Sequence, residues 1–248
     1  MNVLVCISQV PDTTAKIEFT DGNRAFDTTG ISFVINPYDE FGLTRAIWLQ
    51  ERQGARITAV TVGDASVEPS LRKALALGAD DAIRIDAEPR DSYQVANELA
   101  ALVEAGKYDL VITGKESIDY NGGAVPGFLA AMLNWPFVNG CIQLEIEGRK
   151  ASAQREIDGG REVVGFPLPA VIAGQKGLVE ERDLKIPSMR GIVMARKKPL
   201  TVKEPLGTQA KTQAEGFERP ASKSAVTLID ADRLDELIKC LHEEVKVI

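Results

Sequence analysis

Val3-Leu-Val-Cys-Ile7 is a short apolar run, and the chain repeats the pattern at Ile57-Thr-Ala-Val-Thr-Val62 and at Leu110-Val-Ile-Thr113. Runs of this length without polar alternation are typical of strands that are buried on both faces of a parallel sheet. Helical patterns separate these runs. Asn36-Pro-Tyr-Asp-Glu40 opens one of them, with an early proline and acidic residues in its first turn. Because strands alternate with helices, we predict an α/β fold with a mostly parallel sheet and helices on both faces.

The second half of the chain has a different character. Residues 138–172 carry β-type runs around Glu147-Gly148 and Asp158-Gly159-Gly160, whose glycines suit tight turns, so we predict antiparallel hairpins there. Residues 174–220 are polar and interrupted by glycine and proline, which predicts an extended arm. The sequence therefore divides into an α/β domain with hairpin strands over residues 1–173 and an arm with a terminal helix over residues 174–248.

The terminal helix is predicted to be amphipathic. Asp232 is a candidate N-cap. Apolar residues follow at helical spacing: Leu234, Leu237, Ile238, Leu241 and Val245. Such a stripe needs a surface to pack against, and the sequence leaves two surfaces open: the chain's own domain or a partner.

Composition excludes several classes of function. The formal net charge of −7 argues against wrapping nucleic acid, and no apolar run reaches the length of about 20 residues that a membrane span needs. The three cysteines, Cys6, Cys141 and Cys240, are far apart in the sequence and form no zinc-binding or dithiol motif. This spacing fits a protein of a reducing compartment. The opening residues lack the basic segment of a signal peptide, so we expect a cytoplasmic protein that is not embedded in a membrane.

The most specific local signal is Arg155-Glu-Ile-Asp-Gly-Gly-Arg-Glu-Val-Val-Gly-Phe-Pro-Leu-Pro-Ala-Val-Ile-Ala173. It resembles the signature segment of electron-transfer flavoprotein β subunits. That pattern combines a small residue, a base, an acid–Gly–Gly turn, a glutamate, and a proline before an apolar pair. The positions that meet it are Ala153, Arg155, Asp158, Gly159, Gly160, Glu162, Pro169, Val171 and Ile172. Without the family, the segment reads as two strands joined by a glycine turn.

Other motifs resemble the same family in the same order along the chain. They are Asn36-Pro-Tyr-Asp-Glu40, Leu75-Ala-Leu-Gly-Ala-Asp80, Gly114-Lys-Glu-Ser-Ile-Asp119, Leu133-Asn-Trp-Pro136 and Ile192-Val-Met-Ala-Arg-Lys-Lys-Pro199. The resemblance covers nearly the whole chain. It implies a Rossmann-like sheet of the adenine nucleotide α-hydrolase-like kind.

The resemblance also implies a buried adenine nucleotide, most often AMP, at the carboxyl ends of the parallel strands, where ligands of open α/β sheets bind. Carried over position by position, the pocket would use Cys6, Asn36, Pro37, Tyr38, Asp39, Val62, Gly114, Lys115, Asp119, Asn121, Gly122, Gly123, Ala124 and Val125. The family commonly has an Asn-Gln-Thr-Gly run at the phosphate, whereas this chain has Gly123-Ala-Val-Pro126. Phosphate contacts would then fall to backbone N–H groups, and a second FAD in place of AMP stays open.

The redox chemistry implied by the resemblance belongs to an FAD that is held mostly by a larger α subunit, with Thr13 and Tyr38 of this chain near its ring. Glu156 falls at a position that bridges to the partner subunit. The segment Gly177–Gly191 resembles a recognition loop that docks on client flavin dehydrogenases. Its apolar anchor is Met189 by motif or Ile186 by a match without gaps.

The resemblance thus implies an electron carrier between dehydrogenases of the acyl-CoA dehydrogenase type and a quinone oxidoreductase at the membrane. A bifurcating relative with NADH as donor is the nearest alternative. A stand-alone adenine-nucleotide enzyme or regulatory protein is a third, because similar folds host such activities. The only histidine, His242, lies in the terminal helix and no nucleophile stands beside a base, so we predict no catalytic side chain.

Overall fold

The computed structural model of the chain describes residues 1–221 and 225–248. The strands are β1 Asn2–Cys6, β2 Gln9–Pro11, β3 Phe19–Thr20, β4 Ala25–Phe26, β5 Phe33–Ile35, β6 Arg56–Val62, β7 Asp81–Ile85, β8 Leu110–Gly114, β9 Phe137–Glu147, β10 Lys150–Ile157, β11 Gly160–Pro167, β12 Ala170–Gly174 and β13 Leu200–Lys203. The α-helices are α1 Pro37–Gln53, α2 Glu68–Leu77, α3 Ser92–Ala105, α4 Val125–Leu133, α5 Met189–Ala195 and α6 Leu234–Lys239.

A nine-stranded sheet organises these elements, in the order β11-β10-β9-β12-β8-β1-β6-β7-β13. The six neighbouring strands β12, β8, β1, β6, β7 and β13 are paired in parallel. The strands β9, β10 and β11 are paired antiparallel to one another. One face packs against α1 and α2, and the other packs against α3 and α4. The predicted fold class is therefore confirmed, including the helices on both faces.

The antiparallel hairpin confirms the prediction for residues 138–172 except at its end. β12 pairs in parallel with both β8 and β9, because after β11 the chain crosses back over β10 and β9 and enters the sheet between β9 and β8. The second half of β9 lies over α1. There the guanidinium of Arg45 donates a hydrogen bond to the Leu144 carbonyl, and Gln53 Nε2 donates to the Ile146 carbonyl at 3.2 Å. These bonds attach α1 to the antiparallel end of the same sheet.

The segment 174–220, predicted to be an extended arm, contains regular elements. Helix α5 packs on α2, and Gly191 allows this approach because its position faces the Ala76 carbonyl with no room for a Cβ atom. β13 then adds the last strand of the main sheet, beside β7. Residue 173 is therefore not the end of the sheet.

The terminal helix differs from its prediction. It begins at Leu234 with Arg233 at the cap position and no side-chain cap, so Asp232 is not the N-cap. It continues after Lys239 as a π-helical turn over Cys240–Val245. The apolar side chains of this end of the chain remain largely exposed, so they do not pack on the chain's own domain. In the described residues, we find no helix with the length and apolar character of a membrane span.

Candidate functional site

The strand order places a crevice between β1 and β8. After β1 the chain proceeds to β6 and β7 on one side, and it then returns to β8 on the other side. At such a switch point the connections leave in opposite directions and open a crevice at the carboxyl ends of the strands. Most of the predicted pocket residues lie here, on the ends of β1, β6 and β8, on the first turn of α1 and on the loop before α4.

Asp39 joins the two strands of this crevice. Its Oδ2 accepts a hydrogen bond from the Ser8 amide at 2.7 Å, just after β1, and its Oδ1 accepts from the Gly114 amide at 2.7 Å, at the end of β8. The side chain is buried, and burial raises its pKa to about 7 although these donors act in the opposite direction. Asp39 therefore fixes the spacing of the two strands at the point where a ligand would enter.

Asn36 holds the next loop against the same point. It is fully buried, its Nδ2 donates to the Glu116 carbonyl at 2.8 Å, and its Oδ1 accepts from the Ile118 amide at 3.3 Å. A buried polar group is tolerated only when it is hydrogen-bonded, and Asn36 satisfies both its donor and its acceptor.

Gly114 is required by this packing. A Cβ at this position would lie 2.5 Å from Asp39 Oδ1, 2.7 Å from Tyr38 Cβ and 3.1 Å from Asn36 Nδ2. Any side chain would therefore push the first turn of α1 away from β8. The glycine was predicted from a motif, and the structure gives its physical reason.

The loop between β8 and α4 is closed by its own hydrogen bonds. Ser117 and Gly122 exchange backbone hydrogen bonds of 3.0 and 3.2 Å, and Ser117 Oγ donates to Asp119 Oδ1 at 2.6 Å. Asn121 sits at φ +49°, a conformation that asparagine tolerates better than most residues. The loop leads directly into α4.

The start of α4 is the part of the crevice suited to an anion. The residues Gly123, Ala124 and Val125 precede or begin the helix, where amide N–H groups point outward and the helix dipole favours negative charge. Pro126 lies in the first turn, where its lack of an N–H removes no intrahelical hydrogen bond.

Tyr38 and Lys115 lie next to each other at the carboxyl ends of the strands. Lys115 Nζ lies 5.4 Å from the centre of the Tyr38 ring, and burial, with Glu116 nearby, raises the pKa of Tyr38. Cys6 and Val62 are buried at the ends of β1 and β6. Burial also raises the pKa of the Cys6 thiol, so it is protonated and is not a nucleophile at neutral pH.

Other predicted residues lie apart from the crevice. Thr13 is exposed on the loop after β2, in a turn where Asp12 accepts from the Thr14 amide. Met189 is 78% exposed at the start of α5, and Ile186 is 87% exposed just before it. Glu156 is exposed on β10 and accepts from Gln175 Nε2 at 2.7 Å.

The sequence did not point to the backbone groups that complete the crevice, those of Ser8 and Glu116. A motif of side chains carries no signal for such groups, since any residue supplies the same amide and carbonyl. In the part of the chain that the structure describes, no cluster of three His, Cys, Asp or Glu side chains could hold a metal ion.

The comparisons with known proteins agree with this architecture. The family profile for the electron transfer flavoprotein domain matches residues 24–205. The electron transfer flavoprotein subunit beta of Bacillus subtilis (strain 168) is 36% identical over 262 residues, which cover 100% of both chains. The chain belongs to the family of electron transfer flavoprotein β subunits.

Two further members of the family show how widely the similarity extends. The subunit beta of Syntrophomonas wolfei is 37% identical over 227 residues, covering 91% of this chain and 88% of its own. The human subunit beta is 32% identical over 253 residues, covering 98% and 97%. The family domain includes Asn36, Asp39 and the loop before α4, whereas β1 on the other side of the crevice precedes the matched residues.

Proposed function

We propose that this chain is the β subunit of a heterodimeric electron-transfer flavoprotein in the cytoplasm. It pairs with a larger α subunit, binds AMP in the crevice between β1 and β8, and helps to cover an FAD held by that subunit. The complex accepts electrons from flavin dehydrogenases of the acyl-CoA dehydrogenase type and passes them to a quinone oxidoreductase at the membrane. The crevice organised by Asp39 is the observation that carries the proposal.

The residues of the crevice fit an adenine nucleotide. Asn36 and Asp39 fix the floor of the crevice, and Gly114 lets the first turn of α1, which carries Tyr38, lie close against the end of β8. The N–H groups of Gly123, Ala124 and Val125 at the start of α4 would receive the phosphate. This arrangement needs none of the side-chain donors that the common family pattern has at the same place.

The electron-transfer role also fits the state of the Cys6 and Asp39 side chains, neither of which is free to react. The Cys6 thiol is buried with a raised pKa, and the Asp39 carboxyl is occupied by two amides. FAD supplies the one-electron chemistry when it is bound. The part of this chain is to exclude water and to present Tyr38 and Thr13 toward the flavin, with Lys115 contributing positive charge beside the Tyr38 ring.

Two regions with exposed apolar side chains support the proposal that the chain binds partner proteins. The first surrounds Met189 and Ile186, and the second runs from Val226 to Ile248. Clusters of exposed apolar side chains are typical of interaction surfaces. We assign the first to client dehydrogenases, with Met189 or Ile186 as anchor, and the second to the α subunit, with Glu156 as a polar contact to the same partner.

The experiment that tests the proposal is to co-express the chain with the larger subunit, purify the heterodimer, denature it and measure the FAD and AMP released. One FAD and one AMP per heterodimer is the expected result. It would show that backbone donors at Gly123, Ala124 and Val125 hold the phosphate. Failure to form a complex, or a complex without flavin, would overturn the proposal.

A second function is favoured by one observation, the replacement of the usual phosphate-binding side chains by Gly123-Ala-Val-Pro126. In that case a second FAD occupies the crevice and the complex is a bifurcating flavoprotein with NADH as donor. Two FAD and no AMP per heterodimer, with reduction by NADH, would select this function over the first.

A further inference from the structure

The chain between β13 and the terminal helix packs on the domain that it leaves. We refer to residues 204–219 as the strap. The strap has no regular secondary structure, and its sequence is mostly polar. It nevertheless contacts helix α3, the loop before α4, and the hairpin of β3 and β4.

The first contacts are with α3. Glu98 Oε2 accepts from the Leu206 amide at 2.8 Å, and Asp91 Oδ2 accepts from the Thr212 amide at 2.8 Å and from the Lys211 amide. Asp91 is also the N-cap of α3, through Oδ1 and the Gln94 amide at 2.8 Å. The strap therefore runs toward the N-terminal end of α3, which faces the carboxyl edge of the sheet.

The last contacts are made by Phe217. Its ring stacks on that of Phe19, with centres 4.9 Å apart and planes 6° apart, and it lies 6.5 Å from the ring of Tyr120. Its amide donates to the Asn23 carbonyl at 2.7 Å. Arg219 adds an ion pair with Glu18. Phe217 thus joins the hairpin of β3 and β4 to the loop before α4.

Of the residues that Phe217 contacts, Tyr120 is the one that belongs to the loop before α4. It lies in the loop that carries Asp119, Asn121 and Gly122, and it is 70% exposed despite the neighbouring ring. Hydrogen bonds between Ser117 and Gly122 and from Ser117 Oγ to Asp119 close the base of the loop, and Asn36 accepts from the Ile118 amide. The ring of Tyr120 lies beyond these bonds at the exposed tip, and a tip held by few bonds opens readily unless a neighbouring group restrains it.

We propose that Phe217 is a positioning residue for the nucleotide crevice, holding the loop of residues 117–123 in place through Tyr120 and Phe19. The inference rests on the proposed function for the identity of the ligand, which is an adenine nucleotide. It assigns to the strap a role on its own chain, separate from the partner surface of residues 226–248. Phe217 does not touch the phosphate site itself, and it acts on nucleotide retention through the order of the loop.

The experiment uses the heterodimer with the larger subunit and compares wild type with Phe217→Ala, Phe217→Tyr and Asp91→Asn. Two quantities are measured: amide hydrogen exchange of residues 117–123, and the release rate of radiolabelled AMP after dilution into unlabelled AMP. Exchange is read on the nucleotide-free complex, so it reports on the loop even if AMP is not the ligand.

Phe217→Ala is expected to accelerate both exchange in the loop and AMP release by about twofold to tenfold, the range that corresponds to one lost aromatic pair. Phe217→Tyr keeps the ring and should behave as wild type. Asp91→Asn keeps the Oδ1 cap of α3 but removes the acceptor of the Lys211 and Thr212 amides. It should raise exchange in residues 208–213 and leave residues 117–123 unchanged.

Three results would overturn the proposal. The first is unchanged loop exchange in Phe217→Ala. The second is an equal rise in loop exchange in Asp91→Asn, which would make the whole strap responsible. The third is faster loop exchange with unchanged AMP release from a complex that holds AMP. If Phe217→Ala does not assemble, Phe217→Leu replaces it, with the same direction of both effects expected. A complex without AMP would refute the AMP assignment, while the exchange data would still decide the role of Phe217.

Discussion

The floor of the crevice and the end of the chain differ in which side chains they bury. Asn36 and Asp39 are polar and almost wholly buried, whereas Val226 and Leu228 are apolar and are 79% and 87% exposed. Burial is tolerated at the floor because each polar atom meets a backbone group of a neighbouring element. Exposure at the end has no such compensation within the described chain. The first region is therefore complete in itself, and we propose that a partner surface covers the second.

The largest expected effect is at Asp39. Asp39→Ala would leave the amides of Ser8 and Gly114 without their acceptor, and we expect the free energy of unfolding to fall by about 2–5 kcal/mol at pH near 5. Urea titration of the purified chain measures this. Asp119→Ala is the control, because it removes an exposed carboxyl of the adjacent loop and should have a much smaller effect. Equal effects of the two substitutions would show that the floor is not a self-contained unit.

The same residue predicts a dependence on pH. Burial raises the pKa of Asp39 from its ordinary value of 3.8 to about 7, so between these values the folded chain retains a proton that the unfolded chain has lost. Its stabilisation is full below the lower value and is lost as the pH rises through 7. We expect the difference in unfolding free energy between wild type and Asp39→Ala to shrink by about 2–3 kcal/mol between about pH 5 and about pH 8.

Asp27 provides the matched control for that measurement. Hydrogen bonds from Thr29 lower the pKa of its exposed carboxyl, which places its titration on the acid side of this window. The difference between wild type and Asp27→Ala should therefore stay constant over the same pH range. A constant difference for Asp39→Ala as well would mean that Asp39 is ionised throughout.

The close packing at Gly114 gives a smaller effect of the same kind. Gly114→Ala places a methyl group against Asp39, Tyr38 and Asn36, and we expect a loss of about 1–3 kcal/mol in unfolding free energy. Gly160→Ala is the control, since nothing lies within 4 Å of a Cβ built there. Comparable urea midpoints for the two variants would contradict the tight approach of α1 to β8.

The smallest effect on stability is expected at the end of the chain. Ile238→Ala should change the unfolding free energy of the isolated chain by less than about 0.5 kcal/mol, because Ile238 is 56% exposed. The same substitution should weaken the heterodimer about tenfold if the α subunit covers this surface. Isothermal titration with the larger subunit measures this, and Lys239→Ala serves as the exposed control on the same helix. A stability loss as large as that at Gly114 would show instead that the terminal helix packs on its own domain.

The elements that the sequence failed to predict are those that depend on distant partners. β7 carries charged residues within its five positions, and Arg84 is buried there only because Glu68, Asp86 and the Gly63 carbonyl surround it. β13 is short and mostly exposed, and it is a strand only because β7 offers a free edge. Asp232 has the right residue type for a cap, but the helix begins two residues later.

The candidate site divides along the same line. Asn36, Asp39, Gly114 and the loop before α4 were predicted from motifs that resemble a family, because a motif records residue types at fixed spacing. Ser8 and Glu116 were not predicted, because they contribute backbone groups whose positions no local pattern records. The contact of Phe217 with Phe19 was not predicted either, because it joins segments far apart in the sequence.

The sequence by itself determined that strands and helices alternate and that the sheet is mostly parallel, because both follow from local periodicity. Its resemblance to a family, and not its periodicity, indicated which glycines and polar residues line one edge. Only the tertiary structure decided that β1 and β8 are neighbours, that Asp39 spans them, and that residues 204–219 return to the loop before α4. Those arrangements depend on pairing between segments far apart in sequence, since each is stabilised by contacts that exist only once the chain has folded.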